Sequence, residues 1–94
     1  MSPAVSRDLS VLCDAGVSAA EIAEGIRRAG GELLNSVTVV DRYEGDPVPR
    51  GRVSLTLRLR YQDPRRTLTG EEVQASVEAV IRDLRSRGAE IRGE

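Results

Sequence analysis

The stretch from residue 52 to residue 61 constrains this chain most, because apolar and polar residues alternate there without a break. A period of two places successive side chains on opposite faces of a β-strand. The segment therefore predicts a strand with one buried face and one open, polar face. The predicted buried side chains are Val53, Leu55, Leu57, Leu59 and Tyr61.

Three more segments have strand patterns. Residues 7–13 alternate in the same way, and residues 33–43 are rich in β-branched side chains. Residues 89–92 are predicted to form a short closing strand. Residues 44–51 consist of turn-forming residues, which predicts a long hairpin loop between the second and third strands.

Two segments have helical spacing of apolar residues, and a capping box is predicted at the start of each. The boxes pair Ser18 with Glu21 and Thr69 with Glu72, and glycines follow both helices. The element order is thus β-α-β-β-α-β. It predicts an α+β, ferredoxin-like βαββαβ fold, with two helices on one face of a four-stranded antiparallel sheet.

The first and third strands pair at the centre of this topology. Asp8 on the first strand is therefore expected to pair with Arg58 or Arg60 on the third, in a structural role. Arg7 is expected to help hold the same end of the sheet.

Composition excludes several classes of function. The 94 residues include no histidine and a single cysteine, Cys13, which excludes histidine-assisted nucleophiles, an internal disulfide and multi-cysteine metal sites. No glycine-rich phosphate loop precedes a helix. We therefore expect no catalytic residue, no metal and no cofactor in this chain.

Hydropathy predicts a soluble protein with one domain over residues 1–94. Hydrophobic residues make up 39% of the chain and charged residues 31%. No apolar run approaches the roughly 20 residues that cross a bilayer. We expect a cytoplasmic location and no membrane partner.

Basic residues are concentrated in one part of the chain. Asp63 is the only acid between residues 50 and 66, a stretch with six arginines, although the net charge of the chain is −1. Such local asymmetry attracts a polyanion even when the total charge cancels. The same pattern is also typical of an exposed strand that arginines keep soluble.

Three stretches of sequence resemble the motifs of one known family. Residues 3–9 resemble its Pro-Ala-x-x-Arg-Asp-Leu start, and residues 66–73 its Arg-Thr-Leu-Thr-x-x-Glu-Val helix start. Residues 41–55 resemble its Asp-x-Tyr-x-Gly and Pro-x-Gly-x-x-Ser-Leu signatures. In order and spacing the chain resembles the ferredoxin-fold anticodon-binding domain at the C-terminus of the bacterial phenylalanyl-tRNA synthetase β subunit. It departs from the family at Val40 and at residues 56–57, where the family commonly has aromatic residues.

The resemblance implies the tRNA(Phe) anticodon stem-loop as partner. If the chain is part of a longer protein, the remaining α and β subunits of the synthetase are further partners. The chain would have no reaction of its own, and its parent would be an ATP-dependent phenylalanine–tRNA ligase. Asp41 and Tyr43 match the positions that meet the first anticodon base in the family. The other predicted RNA-binding residues are Arg52, Ser54, Arg58, Arg60, Arg65 and Arg66.

Two other classes of protein share this fold. An ACT-like structural or regulatory module would pair edge to edge and bind no RNA. An acylphosphatase-like enzyme would use an arginine with an asparagine, and Asn35 is the only asparagine of the chain. Fold alone does not distinguish these alternatives.

The second strand contains a conflict between core and site. Val37, Val39, Asp41 and Tyr43 have the same parity, so a regular strand would place all four on one face. A β-bulge or a late twist must therefore separate the valines from the predicted site residues.

Overall fold

The computed structural model describes residues 3–94 and has the predicted order of elements. Residues 1 and 2 of the predicted domain lie outside this part. The elements are β1 Val5–Asp14, α1 Ala19–Gly30, β2 Leu34–Tyr43, β3 Arg52–Tyr61, α2 Gly70–Ser86 and β4 Glu90–Gly93. The strands form one antiparallel sheet in the order β2-β3-β1-β4, which confirms the ferredoxin-like α+β fold.

The centre of the sheet is the regular pairing of β1 with β3, which runs without a shift from Val5–Tyr61 to Asp14–Arg52. The sequence alternation of β3 becomes an alternation of burial. Its five apolar side chains are at most 2% exposed, and they are the ones predicted above.

Both helices cover the apolar face of this sheet. Ile22 and Ile26 of α1 pack in one cluster with the valines of α2 and with Leu9 and Val11 of β1. Each fully buried aliphatic side chain contributes about 1.5–3 kcal/mol to folding. Cys13 belongs to the same cluster, and burial raises the pKa of its free thiol. The cysteine is thus a small core side chain.

The predicted capping box of α2 is complete. The Thr69 hydroxyl accepts from the Glu72 backbone N–H at 3.1 Å, and the Glu72 carboxylate accepts from the Thr69 N–H at 2.8 Å. A hydrogen bond from Arg66, together with the backbone bond, lowers the pKa of Glu72 to about 2. At α1 the Ser18 hydroxyl accepts from the Glu21 N–H at 3.1 Å. Within residues 3–94 the Glu21 carboxylate makes no return bond, so only the serine half of that prediction is confirmed.

A partly buried hydrogen-bond chain links three elements at one end of the core. The Ser76 hydroxyl of α2 donates to the Gly30 carbonyl of α1 at 2.6 Å. Its proton is then committed, so the Tyr61 hydroxyl donates to Ser76 Oγ at 2.9 Å. A side chain at Gly30 would require the Leu34 side chain to shift, and glycine avoids this change. Tyr61, whose ring is fully buried, is therefore a core residue.

Candidate nucleic-acid interface

The face of the sheet opposite the helices is mostly polar. Residues that pair across antiparallel strands project to the same face, so the registers define rows of neighbours. Four rows cross this open face from β2 through β3 to β1. They are Tyr43–Ser54–Leu12, Asp41–Thr56–Ser10, Thr38–Arg58–Asp8 and Ser36–Arg60–Ser6.

A β-bulge in β2 brings Asp41 and Tyr43 to this face. Val39 pairs with Leu57 on the core side. Asp41, two residues later in β2, pairs with Thr56, which is only one residue from Leu57 in β3. Val40 is therefore the extra residue of the bulge and has no pairing partner in β3, and it is 41% exposed. The bulge separates the valines from the predicted site residues, as the parity conflict required.

The hairpin holds the Tyr43 side chain in place. Its hydroxyl donates to the backbone carbonyl of Asp46 in the loop, while 49% of the residue stays exposed. One carboxylate oxygen of Asp41 accepts from the Arg42 N–H at 2.9 Å. Asp41 and Tyr43 pair with Thr56 and Ser54, so an aromatic ring, a carboxylate and two hydroxyls lie close together.

Arg52 is partly engaged elsewhere. It is half-buried, and its Nη2 donates to the Leu12 carbonyl at 3.2 Å. The residue also borders a cavity of about 420 Å³, together with Cys13 and residues of both helices. Its guanidinium therefore supports the backbone of β1 beside the predicted RNA-binding face.

Arg58 and Arg60, two residues apart on the open face, differ in their partners. Arg58 donates to both carboxylate oxygens of Asp8 from one edge of its guanidinium, Nε to Oδ1 at 3.0 Å and Nη2 to Oδ2 at 3.1 Å. This hydrogen bonding lowers the pKa of Asp8, and it confirms the expected pair across β1 and β3. Arg60 lies between Ser6 and Ser36 and makes no hydrogen bond or ion pair within residues 3–94.

The loop after β3 carries the other two predicted arginines. The Arg65 side chain is 90% exposed, with its Nε 3.8 Å from an Asp63 carboxylate oxygen. Arg66 lies 2.8 Å from Glu72 and 3.4 Å from Asp63, so it joins the cap of α2 to the loop. Arg66 is paired with two carboxylates and would have to give up those contacts to bind a phosphate. Arg65 is therefore the more available of the two arginines.

By position in the chain, the eight predicted residues fall into two groups. The hairpin group is Asp41, Tyr43, Arg52 and Ser54, and the loop group is Arg58, Arg60, Arg65 and Arg66. Ser54 and Arg60 are about 20 Å apart at the rise of a β-strand. Ser10 and Thr56, with hydroxyls 3.4 Å apart, lie in the same row as Asp41 and next to the row of Arg58. The sequence interpretation omitted them, although the parity of Ser10 in β1 places it on the open face.

Across the described residues, no three His, Cys, Asp or Glu side chains lie close enough together to hold a metal ion. Over the same residues, neither helix has the length and apolarity needed to cross a bilayer.

Known proteins resemble this chain along most of its length. The model of the family described as the ferredoxin-fold anticodon binding domain matches residues 1–92. The phenylalanine–tRNA ligase beta subunit of Moorella thermoacetica is 52% identical over 91 residues, which cover 96% of this chain and 11% of the relative. That of Halalkalibacterium halodurans is 44% identical over 92 residues, with 97% and 11% covered. The chain thus spans about a tenth of the length of these relatives.

A solved structure shows a similar fold in another context. A hydantoinase/carbamoylase family amidase from Burkholderia ambifaria superposes with a TM-score of 0.52 over 94% of this chain and 26% of that one. At 21% identity this is a likeness of fold alone. The family match, in contrast, favours the anticodon-binding interpretation over an ACT-like module. Matched over residues 1–92 and 52% identical to one relative, the chain belongs to the ferredoxin-fold anticodon-binding domain family.

Proposed function

We propose that this chain is the anticodon-binding domain of a phenylalanine–tRNA ligase beta subunit and recognises the tRNA(Phe) anticodon through its open sheet face. The bulge in β2 is the observation that carries this proposal, because it turns Asp41 and Tyr43 toward that face. The partners are then the anticodon stem-loop and the remaining synthetase subunits in the cytoplasm. Ligation itself belongs to other parts of that enzyme.

Base recognition takes place at the hairpin group. Sequence-specific RNA recognition uses unpaired bases that stack on aromatic side chains and hydrogen-bond along their edges. The Tyr43 ring is half-exposed and tethered through its hydroxyl, so little side-chain freedom is lost when a base stacks on it. The Asp41 carboxylate accepts hydrogen bonds from N–H groups of a guanine edge, and Ser54 can donate or accept.

Phosphate contacts come chiefly from Arg60 and Arg65. Arg60 has no partner within residues 3–94, and the Arg65 side chain is 90% exposed. Both can therefore take a phosphate without giving up a close ion pair. Each such contact with a single strand makes the slope of log K against log salt concentration more negative by about 0.7. Affinity from this group does not depend on base sequence.

Titration of the tRNA(Phe) anticodon stem-loop at low salt tests this proposal. We expect binding that depends on the anticodon sequence and falls by about tenfold in Tyr43→Ala, since base stacking on an aromatic side chain is worth about 1–3 kcal/mol. Asp41→Asn should lose preference for the correct first anticodon base. Val39→Ala is the matched control, because Val39 lies on the same strand and on the core side of the bulge. Equal binding of all anticodon sequences by the folded domain would contradict the proposal.

A further inference from the structure

The ion pair between Asp8 and Arg58 joins the two central strands on the open sheet face. The two residues pair directly in the ladder, between the row of Ser10 and Thr56 and the row of Arg60. Nε and Nη2 of Arg58 donate to the two oxygens of the Asp8 carboxylate, at 3.0 and 3.1 Å. Two hydrogen bonds to one edge of a guanidinium fix the direction in which the group points as well as its distance.

The other edge of the Arg58 guanidinium is unused. A guanidinium has five N–H donors, and the contact with Asp8 takes that of Nε and one of Nη2. The remaining three make no hydrogen bond within residues 3–94, and 52% of the Arg58 side chain is exposed. The Nη1 and Nη2 edge, at the tip of the side chain, therefore keeps the paired donors that match two oxygens of a phosphate.

A shallow groove of about 640 Å³ borders the ion pair. Its lining residues are Ser6, Arg7, Asp8, Arg58 and Glu94. The two arginines and the two carboxylates leave the groove with almost no net charge. A phosphate that binds here gains little from net charge, so its affinity depends on donors that already point toward it.

We propose that Asp8 is a positioning residue that orients Arg58, so that the free edge of the guanidinium binds one phosphate of the anticodon loop. This inference rests on the proposal that the open face binds RNA. Binding costs free energy for each long side chain that it immobilises, and a guanidinium already held by two hydrogen bonds avoids much of that cost. Arg60, on the same face, makes no such bond within residues 3–94 and contributes undirected charge.

A double-mutant cycle on affinity for the tRNA(Phe) anticodon stem-loop tests the inference. At about 200 mM salt, exposed charges more than about 8 Å apart are largely screened, so general changes of charge have little effect. Arg58→Gln should weaken binding about fivefold in the wild type and only about twofold in Asp8→Asn, where the guanidinium is no longer held. Asp8→Asn alone should weaken binding about two- to threefold, although it removes a negative charge from the face.

Three variants separate orientation from charge. Arg58→Lys keeps the positive charge but lacks the planar fork, so it should weaken binding nearly as much as Arg58→Gln. Glu78→Gln removes one negative charge from an exposed position of α2 and should leave affinity almost unchanged. Asp8→Ser also removes the carboxylate, and it replaces Asp8→Asn if that variant folds poorly by circular dichroism.

Stem-loops with a methylphosphonate at one backbone position at a time locate the contact. Each replacement removes the charge of one phosphate. One position should weaken binding to the wild type several-fold and have little effect on Arg58→Gln or Asp8→Asn. Arg60→Gln should leave the effect of that position in place and make the salt slope of log K less negative by about 0.7.

Tighter or unchanged binding by folded Asp8→Asn and Asp8→Ser would overturn the inference. So would an equal cost of Arg58→Gln in both backgrounds. Failure of the proposed function shows differently, as a wild type that binds the anticodon sequence no better than a scrambled loop. The same cycle on the scrambled loop then decides whether Asp8 orients Arg58, and a wild type that binds neither RNA would overturn both proposals.

Discussion

The two strands of the hairpin, β2 and β3, differ in how tightly the fold constrains them. β3 lies in the interior of the sheet and pairs with β1 along its whole length without a shift. β2 is an edge strand, and its pairing with β3 shifts twice, between Leu34 and Ser36 and between Val39 and Asp41. β3 supplies buried side chains to the core, whereas the irregular pairing of β2 places Asp41 and Tyr43 on the open face.

This difference shows where a small domain can place a binding site. A central strand has neighbours on both edges and helices on one face, so a change in its phase moves every core side chain. An edge strand can absorb an extra residue, as β2 does at Val40, and redirect the side chains that follow. The irregular strand is therefore the one suited to carry recognition.

Deleting one residue from each strand is the severest test of this comparison. Deletion of Thr56 should prevent folding, because it turns one end of β3 to the wrong face. Deletion of Val40 should leave a folded domain, because Val39 and Asp41 would then oppose Leu57 and Thr56 in regular succession. We expect a cost of about 1 kcal/mol for the second deletion. Circular dichroism and urea unfolding measure both, and an unfolded Val40 deletion would contradict the role given to the bulge.

A smaller effect is expected from shortening one side chain in each strand. Leu57→Ala should lower the free energy of unfolding by about 2–5 kcal/mol, because Leu57 is fully buried and leaves a cavity. Val39→Ala should cost under about 1 kcal/mol, since Val39 is 37% exposed. Urea denaturation curves compare the two. Similar losses would mean that β2 is as much part of the core as β3.

The smallest effects should come from the two tyrosines, one on each strand. Tyr61→Phe removes the bond to Ser76 and should cost about 1 kcal/mol of stability, with no change in RNA affinity. Tyr43→Phe removes the bond to the Asp46 carbonyl and should leave stability within about 0.5 kcal/mol. RNA binding should weaken by a few-fold, because the stacking ring is no longer held. Unfolding and titration together check both variants, and a reversed pattern would exchange their assigned roles.

The sequence predicted the bounds of β3 to the residue. Strict alternation places all of its apolar side chains on one face, and that face must lie against the helices. The sequence also predicted the cap of α2 and the pair of Asp8 with an arginine of β3. It required a bulge or twist in β2 without locating it, because the position of a bulge depends on register with the partner strand.

The sequence did not show which of the predicted RNA-binding arginines would be held by carboxylates. Arg66 was predicted to bind RNA, and that prediction remains untested, but in the structure it lies against Glu72 at the helix cap. This contact depends on the conformation of the loop after β3. In the same way, Arg58 and Arg60 look alike in the sequence, and only the pairing of β3 with β1 shows that Asp8 neutralises the first of them.

The pairing of β1 with β3 also has a consequence for how the domain folds. Asp8 and Arg58 are 50 positions apart in the chain, and Ser10 and Thr56 are 46 apart. Contacts of such long sequence separation slow folding, because a large loop must close before they form. α1 and β2 lie within that loop, so the centre of the sheet cannot form until β3 has joined β1. The hydrophobic core and the RNA-binding face are the two sides of that one pairing, so they arise in the same cooperative step.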